Sequence, residues 1–260
     1  MNITETIIRR ASPYKAVAFD VFDTLLKRDV AKPTDLFALC GEEFARARVQ
    51  AENEVRAAIH GEVTLAQIYA QPCMKAYDPA QECAMEMDAV VPNLPVLAAV
   101  RALQAKGKRL YYISDMYLPP EQISAMLKKC GYELDGGFVS CSYGIQKRSG
   151  GLFRRFLRET GLKAGQVLFI GDSWRADVMG ATLAGIPAWH LPVMEKKTEE
   201  TLESGAVRSF IENRISGDMT RAGKLGFSVL GPLEIGFCRW LHQRRLQHPE
   251  ARIFFLARDM

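Results

Sequence analysis

Four polar residues, Asp20, Ser114, Lys147 and Asp172, each stand just past a short apolar run or in a loop before a helix. Asp20 lies in Ala18-Phe-Asp-Val-Phe-Asp-Thr-Leu-Leu26. A carboxylate there can be a nucleophile, splitting a hard displacement at phosphorus into two easier steps through an aspartyl-phosphate. Both reactants are anionic, so their repulsion must be offset. A hard divalent cation held by carboxylates does this, and Mg2+ suits a sparse oxygen site. Asp172, in Phe169-Ile-Gly-Asp-Ser-Trp-Arg-Ala-Asp177, is the natural second carboxylate. Gly171 is read as letting the backbone turn tightly beneath the metal. Asp177, one helical turn on, can support the metal or a lysine. Lys147, in Tyr143-Gly-Ile-Gln-Lys-Arg-Ser-Gly-Gly151, would neutralise the nucleophile and the phosphoryl oxygens. Ser114 can donate a hydrogen bond to the same oxygens, and Thr24 can orient the Asp20 loop. Singly, each is an ordinary turn, cap or solvated residue. Their joint occurrence, in order and at element ends, carries the inference.

The elements that must hold these residues can be read from periodicity. Lys15 to Phe19 is a short apolar run that predicts a buried strand ending at Asp20. From Asp35 to Met87 the spacing of Leu36, Leu39, Phe44, Val49, Val55 and Ile59 is helical, and Thr64–Tyr69 and Pro79–Val91 read as further helices. After Pro92 and Pro95, helices and strands alternate. Strands are expected at Arg109–Ile113, Gly137–Ser140, Gln166–Ile170 and Pro187–Leu191. Helices are expected at Val96–Ala105, Pro120–Cys130, Leu152–Thr160 and Ala176–Ala184, with Gly107, Gly131, Gly161 and Gly185 as stops. This alternation predicts a parallel sheet covered on both faces, with ligands bound beyond the carboxyl ends of its strands. Asp20, Ser114-Asp115 and Gly171-Asp172 would then converge on one crevice. Farther on, Glu199–Ile215 and Phe227–Leu246 read as helices and Ile253–Leu256 as a strand. A strand ending in Ala257-Arg258-Asp259 resembles the opening of a second α/β unit, as if the chain were the front part of a longer protein.

Bulk properties narrow the class. The chain has 260 residues, 48% hydrophobic and 25% charged, which fits a soluble globular protein with a sizeable core. The net charge of +4 is spread along the chain beside acidic residues, which gives nucleic acid binding little support. The six cysteines form no C-x-x-C pair and do not cluster with histidine, so zinc and a disulfide framework are not expected. Reduced thiols and the lack of an evident signal peptide point to a cytoplasmic protein. No run of about 18 apolar residues is present to span a membrane.

The motif set resembles the haloacid-dehalogenase-like (HAD) hydrolase superfamily. Its first motif, D-x-D-x-T after an apolar strand, matches Asp20-Val-Phe-Asp-Thr24 in part. Ser114, Lys147 and Gly171-Asp172 to Asp177 match the second, third and fourth. The likeness covers roughly residues 15 to 192. It implies an α/β fold: a Rossmann-like parallel sheet core (residues 1–33 and 92–195) with a helical cap (34–91) inserted between the first two motifs. Residues 196–260 would form a helical tail and the possible start of a second α/β unit. Ile113-Ser-Asp-Met-Tyr-Leu-Pro119 and the tail, through Gly231-Pro-Leu-Glu-Ile-Gly-Phe and Phe254-Phe-Leu-Ala-Arg-Asp259, look like a narrower bacterial subgroup. Members of that subgroup are predicted hydrolases, often encoded with, or fused to, glycosyltransferases of surface polysaccharide synthesis.

Carried onto this sequence, the resemblance implies a Mg2+-dependent phosphohydrolase or phosphotransferase acting on a small phosphorylated substrate such as a sugar phosphate. Asp20, Ser114, Lys147 and Asp23 would be catalytic. Thr24, Ser114, Asp115 and Lys147 would bind substrate, and Asp20, the Phe22 carbonyl, Asp172 and Asp177 the metal. A glycosyltransferase or a further domain of the same polypeptide would be the partner. One departure matters. Family phosphatases carry a general acid–base Asp two positions after the nucleophile, where this chain has Phe22. A phenyl ring cannot transfer a proton. The departure leaves two alternatives: a hydrolytic 2-haloacid dehalogenase, since halide leaves without protonation, and a non-catalytic phosphosugar-binding or scaffold module.

Overall fold

A computed structural model of the chain describes residues 2–59, 61–191, 201–215, 219–252 and 254. The chain divides after Asn213 into two units. The first opens with helix α1 (Ile3–Ala11), which lies outside the sequence expectations although Ile3, Ile7 and Ala11 recur at helical spacing. Asn2 caps it by accepting from Thr4 N, and Ile7 and Ala11 are its buried residues. Strand β1 (Ala16–Phe19) follows, then β2 (Leu26–Arg28). Helices α2 (Asp35–Ala38), α3 (Glu42–Ala58), α4 (Leu65–Tyr69) and α5 (Pro79–Ala89) form an insertion. It returns through β3 (Val90–Pro92) to α6 (Leu94–Ala105) and β4 (Arg109–Ser114). Next come α7 (Pro120–Lys129), β5 (Gly136–Val139), a helical turn α8 (Ser140–Tyr143) and α9 (Gly151–Thr160). Then β6 (Val167–Gly171), a π-helix over Trp174–Met179, α10 (Gly180–Leu183), β7 (Ala188–His190) and α11 (Leu202–Arg214) complete the order.

The main sheet has five strands in the order β5-β4-β1-β6-β7, all paired in parallel. Period-two alternation sorts its side chains between two cores. Val17, Phe19, Leu110, Tyr112, Leu168 and Ile170 enter one cluster, which includes residues of α1, α6, α7 and the insertion. Ala16, Ala18, Tyr111, Ile113, Val167 and Phe169 enter the other, with Leu152, Phe153 and Phe156 of α9. Phe153 meets Phe169 edge-on, with ring centres 4.7 Å apart. All four β1 residues are buried, as a central parallel strand requires.

Two sequence expectations are corrected here. The helix expected to reach Val91 ends at Ala89. Val90–Pro92 pairs antiparallel with Leu26–Arg28, in the register Leu26↔Pro92, Lys27↔Val91 and Arg28↔Val90. The two legs of the insertion are thus tied together by a short ribbon. The helix expected at Ala176–Ala184 begins earlier, as the π-helix, for a reason given by the site below.

The second unit, described by itself, holds α12 (Arg221–Leu225), a π-turn (Gly226–Leu230) and α13 (Gly231–Gln247). Of the expected strand at Ile253–Leu256, residues 253, 255 and 256 lie outside the described residues. Among the described residues no helix is long and apolar enough to cross a membrane.

Candidate active site

The carboxyl ends of β1, β4 and β6 bring Asp20, Ser114 and Asp172 to one end of the sheet. Asp20 is the first residue past β1, and its N–H donates to Ile170 O at 2.8 Å, extending the β1–β6 ladder by one residue to this carboxylate. The Lys147 ammonium bonds Asp20 Oδ1 and, at 2.6 Å, Asp177 Oδ1. Ser173 N donates to the other Asp177 oxygen at 2.9 Å. Asp177 is therefore occupied on both oxygens and holds the lysine. Thr24 Oγ1 donates to Asp172 Oδ1 at 3.4 Å, joining the first and last motifs across 148 positions of sequence. Ser114, 1% exposed, ends β4 beside β1. Asp115 turns both its oxygens to Lys147 N, at 2.8 and 3.1 Å, so it fixes the lysine's backbone.

Two glycines make this packing possible. A Cβ on Gly171 would sit 2.3 Å from Asp177 Oδ2, and one on Gly180 would sit 2.3 Å from Lys147 O. Gly171 is needed because the Asp177 carboxylate lies against its Cα, a closer reason than the tight turn the sequence suggested. The π-helix has a related cause. Asp177 is drawn back toward Ser173 and Lys147, and the wider turn accommodates it.

The site carries an excess of negative charge. Burial pushes the Asp20 carboxyl well up, Lys147 pulls it back, and the charges of Asp177 and Asp172 push it up again. Burial alone would lower Lys147, but Asp20, Asp177 and Asp115 outweigh it, and the ammonium stays charged. Asp172 is raised by burial, then by Asp177 and Asp23. Asp115, in spite of Lys147, is raised by burial to about 6. Oxygens of Asp20, Asp172 and Asp177 lie within 4.8 Å of one another. Among the described residues Lys147 is the one ammonium bonded to these acids, and the donor set fits a hard divalent cation.

Phe22, at the place of the family acid–base, has a different environment from the acids. The Arg28 guanidinium lies over its ring at 3.8 Å. Arg28 is in turn held by two bonds to Glu86 of α5, at 2.9 and 3.1 Å. Asp23 adopts a left-handed backbone, with φ of 58°, and its charge reaches Asp172. Supporting residues that sequence reasoning missed surround this loop. Asn93 Nδ2 donates to Thr24 O at 2.8 Å, and the Tyr132 hydroxyl donates to Leu25 O at 2.6 Å. No local pattern announces either residue, since their partners are distant in sequence.

The fold and the carboxylate–lysine centre together define a class. The haloacid dehalogenase-like hydrolase family model matches residues 14–185, and the chain belongs to that family. No curated protein matches the chain in sequence. Solved structures share the fold. The HAD-hydrolase YfnB of Bacillus subtilis, solved bound to magnesium, is 20% identical over 68% of this chain and 88% of its own, with a TM-score of 0.50. A 2-haloacid dehalogenase of Pseudomonas syringae pv. Tomato is 18% identical over 72% and 91%, with a TM-score of 0.51. The L-2-haloacid dehalogenase PA0810 is 15% identical over 72% and 88%, with a TM-score of 0.54.

Proposed function

We propose that this hydrolase is a Mg2+-dependent phosphohydrolase or phosphotransferase acting on a small phosphorylated substrate, such as a sugar phosphate, through an aspartyl-phosphate on Asp20. The observation that carries this reading is the Asp20–Lys147–Asp177 bridge beside Asp172. A dehalogenase has little use for the metal site that Asp172 and Asp177 would make beside Asp20. Asp20 attacks phosphorus and the ester oxygen leaves; water then frees the phosphate from Asp20. Lys147 and Ser114 hold the phosphoryl oxygens, with Thr24 orienting the nucleophile loop. Asp177 and Asp115 keep Lys147 in place. Asp20, Asp172 and the Phe22 carbonyl would hold the cation, with Asp177 behind them. When bound, it offsets the repulsion between the carboxylate and the phosphate. Asp23 is the carboxylic group nearest to taking the proton-transfer role that Phe22 cannot. The helical insertion serves as a lid over the crevice, excluding water and choosing the substrate. A glycosyltransferase of surface polysaccharide synthesis is the proposed partner, on the motif resemblance alone.

The test is a panel of phosphate esters with and without Mg2+, on wild type and Asp20→Asn. We expect metal-dependent turnover that falls about 10³-fold or more in the variant. Unchanged turnover in Asp20→Asn would reject the nucleophile. Phe22 supports a second reading, a hydrolytic 2-haloacid dehalogenase. Halide release in excess chelator, with no ester turnover, would establish it. Binding of Mg2+ and a phosphate mimic with no turnover of either kind would mark a binding module.

Phe22→Asp should not rescue proton transfer. Its carboxylate would lie beneath the Arg28 guanidinium and compete with Glu86 for it. We expect kcat on the best ester to stay near wild type. A rise of about 100-fold, the gain typical of a working general acid, would show that Arg28 leaves the new group free.

A further inference from the structure

A chain of buried polar contacts runs from the helical insertion to the backbone of Lys147. Glu62, between α3 and α4, is 6% exposed. Arg56 Nη1 bonds its Oε1 at 2.7 Å, and Val63 N donates to the same oxygen at 3.0 Å. Its other oxygen accepts from Ser140 Oγ at 3.1 Å. Ser140, fully buried just past β5, accepts in turn from Met116 N at 2.9 Å. Met116 follows Asp115, whose carboxylate receives Lys147 N. The same stretch of the insertion reaches both core loops by backbone. Leu65 N donates to Tyr117 O at 3.0 Å, and Gln146 Nε2 to Gly61 O at 3.4 Å. At Gly61, with φ of +137°, a Cβ would lie 2.6 Å from Gly144 O. A carboxylate buried here costs desolvation that an apolar side chain would avoid. Arg56 and Val63 N account for one of its oxygens; the other is spent on a hydroxyl of the core. A polar link does have a use where contact must form and release.

We propose that Glu62 and Ser140 are positioning residues: their contact couples closure of the helical insertion to the placement of the Asp115–Lys147 loop pair. The role in turnover rests on the phosphoryl-transfer reading; the structural coupling does not. When the insertion lies against the core, Glu62 orients the Ser140 hydroxyl, whose oxygen then holds Met116 N. That fixes the Asp115 turn, and Asp115 fixes the lysine that faces Asp20. Lifting the insertion removes Glu62 and loosens the lysine loop.

Amide hydrogen exchange on the full chain tests this with variants Glu62→Gln, Ser140→Ala and Gly61→Ala. Ser140→Ala removes the hydroxyl that links the two loops, Glu62→Gln keeps the shape of the contact and removes the charge that orients that hydroxyl, and Gly61→Ala, which presses on Gly144 O directly, is the positive control for exchange at 144–151. Neither Glu62 nor Ser140 touches the Lys147 amide. A role confined to local structure would therefore loosen Met116 and leave Lys147 as it was. We expect exchange to rise about tenfold or more in peptides covering both 114–119 and 144–151, with β1 and β6 unchanged. On an ester that wild type turns over, kcat should fall about tenfold or more while KM moves little, since the loss is in transition-state placement. Wild-type exchange at 144–151 in Ser140→Ala and Glu62→Gln overturns the coupling. If wild type turns over no ester, the proposed reaction fails and the exchange result still decides the coupling. Should Ser140→Ala not fold, Glu62→Gln keeps the backbone and the shape of the contact and carries the same reading.

Discussion

Lys147→Met is expected to reduce turnover about 10²–10³-fold, the loss typical of removing one donor that faces developing charge. The same change should lower stability at neutral pH by about 3–5 kcal/mol, because it breaks a buried pair and leaves its partner charged. Met keeps the packing of the lysine stem against Phe169, whose ring centre lies 5.7 Å from the ammonium. What goes is the single cation between Asp20 and Asp177. Asp20 is already pushed up by burial, and Lys147 is the group that pulls it down. An acid raised in the folded state contributes stability below its unfolded value, near 3.8, and loses it as pH rises through the folded value. The variant should therefore be weakest at neutral pH and regain stability toward pH 4. Thermal unfolding between pH 4 and pH 8 reads this directly. Added Mg2+ should raise the midpoint of the variant more than that of wild type, since the cation replaces the missing ammonium. A stability loss that is flat across this range would mean that Lys147 does not neutralise Asp20.

The sheet was legible because its central parallel strands are buried on both faces and the helices between them end at glycines. Lys15–Phe19 and Gln166–Ile170 each match an observed strand to within a residue at each end. The site was legible for the same reason. Once the strands run parallel, residues just past their carboxyl ends must share a crevice, however far apart in sequence. The ribbon of β2 and β3 was not legible. Each strand has three residues, too short for periodicity, and each is defined only by the other. Helix α1 was missed because it is only nine residues long and its inner side rests on few apolar residues, with Ile7 and Ala11 buried and Ile8 packed against the core at partial exposure. The π-helix is a tertiary effect, produced by the demands of Lys147 and Ser173 on Asp177. The chain Glu62–Ser140–Met116 was out of reach for a similar reason: Glu62 and Ser140 are 78 positions apart, and neither sits in a motif.

Arg48→Met should be the most damaging single change in the helical insertion, costing about 3–5 kcal/mol. Arg48 of α3 is fully buried, with a guanidinium bonded on three nitrogens. Nε and Nη2 reach Glu82 of α5 at 2.7 and 3.0 Å, and Nη1 reaches Glu52 at 2.9 Å. Glu82 also accepts from the Tyr69 hydroxyl of α4 at 2.9 Å, so α3, α4 and α5 meet at this carboxylate. The guanidinium also lies between aromatic rings, 4.8 Å from the centre of Phe37 and 4.6 Å from that of Tyr117. Tyr117 belongs to the core segment that follows β4, two residues past Asp115. Removing the cation leaves Glu82 charged and buried, with one neutral donor. That, more than lost attraction, is the expected cost. The double variant Arg48→Met, Glu82→Leu removes both charges and should recover most of the stability, because a buried ion pair is often no better than an apolar pair of similar volume. Denaturant unfolding of the two single variants and the double variant checks the coupling; additive losses would sink it. Recovery of stability in the double variant would also separate holding the helices together from seating them on the core. If the Tyr117 contact serves the seating, the double variant should recover its stability and still show faster amide exchange at 114–119. Wild-type exchange there would mean that the insertion is seated by Glu62, Leu65 and Gln146 without help from Arg48.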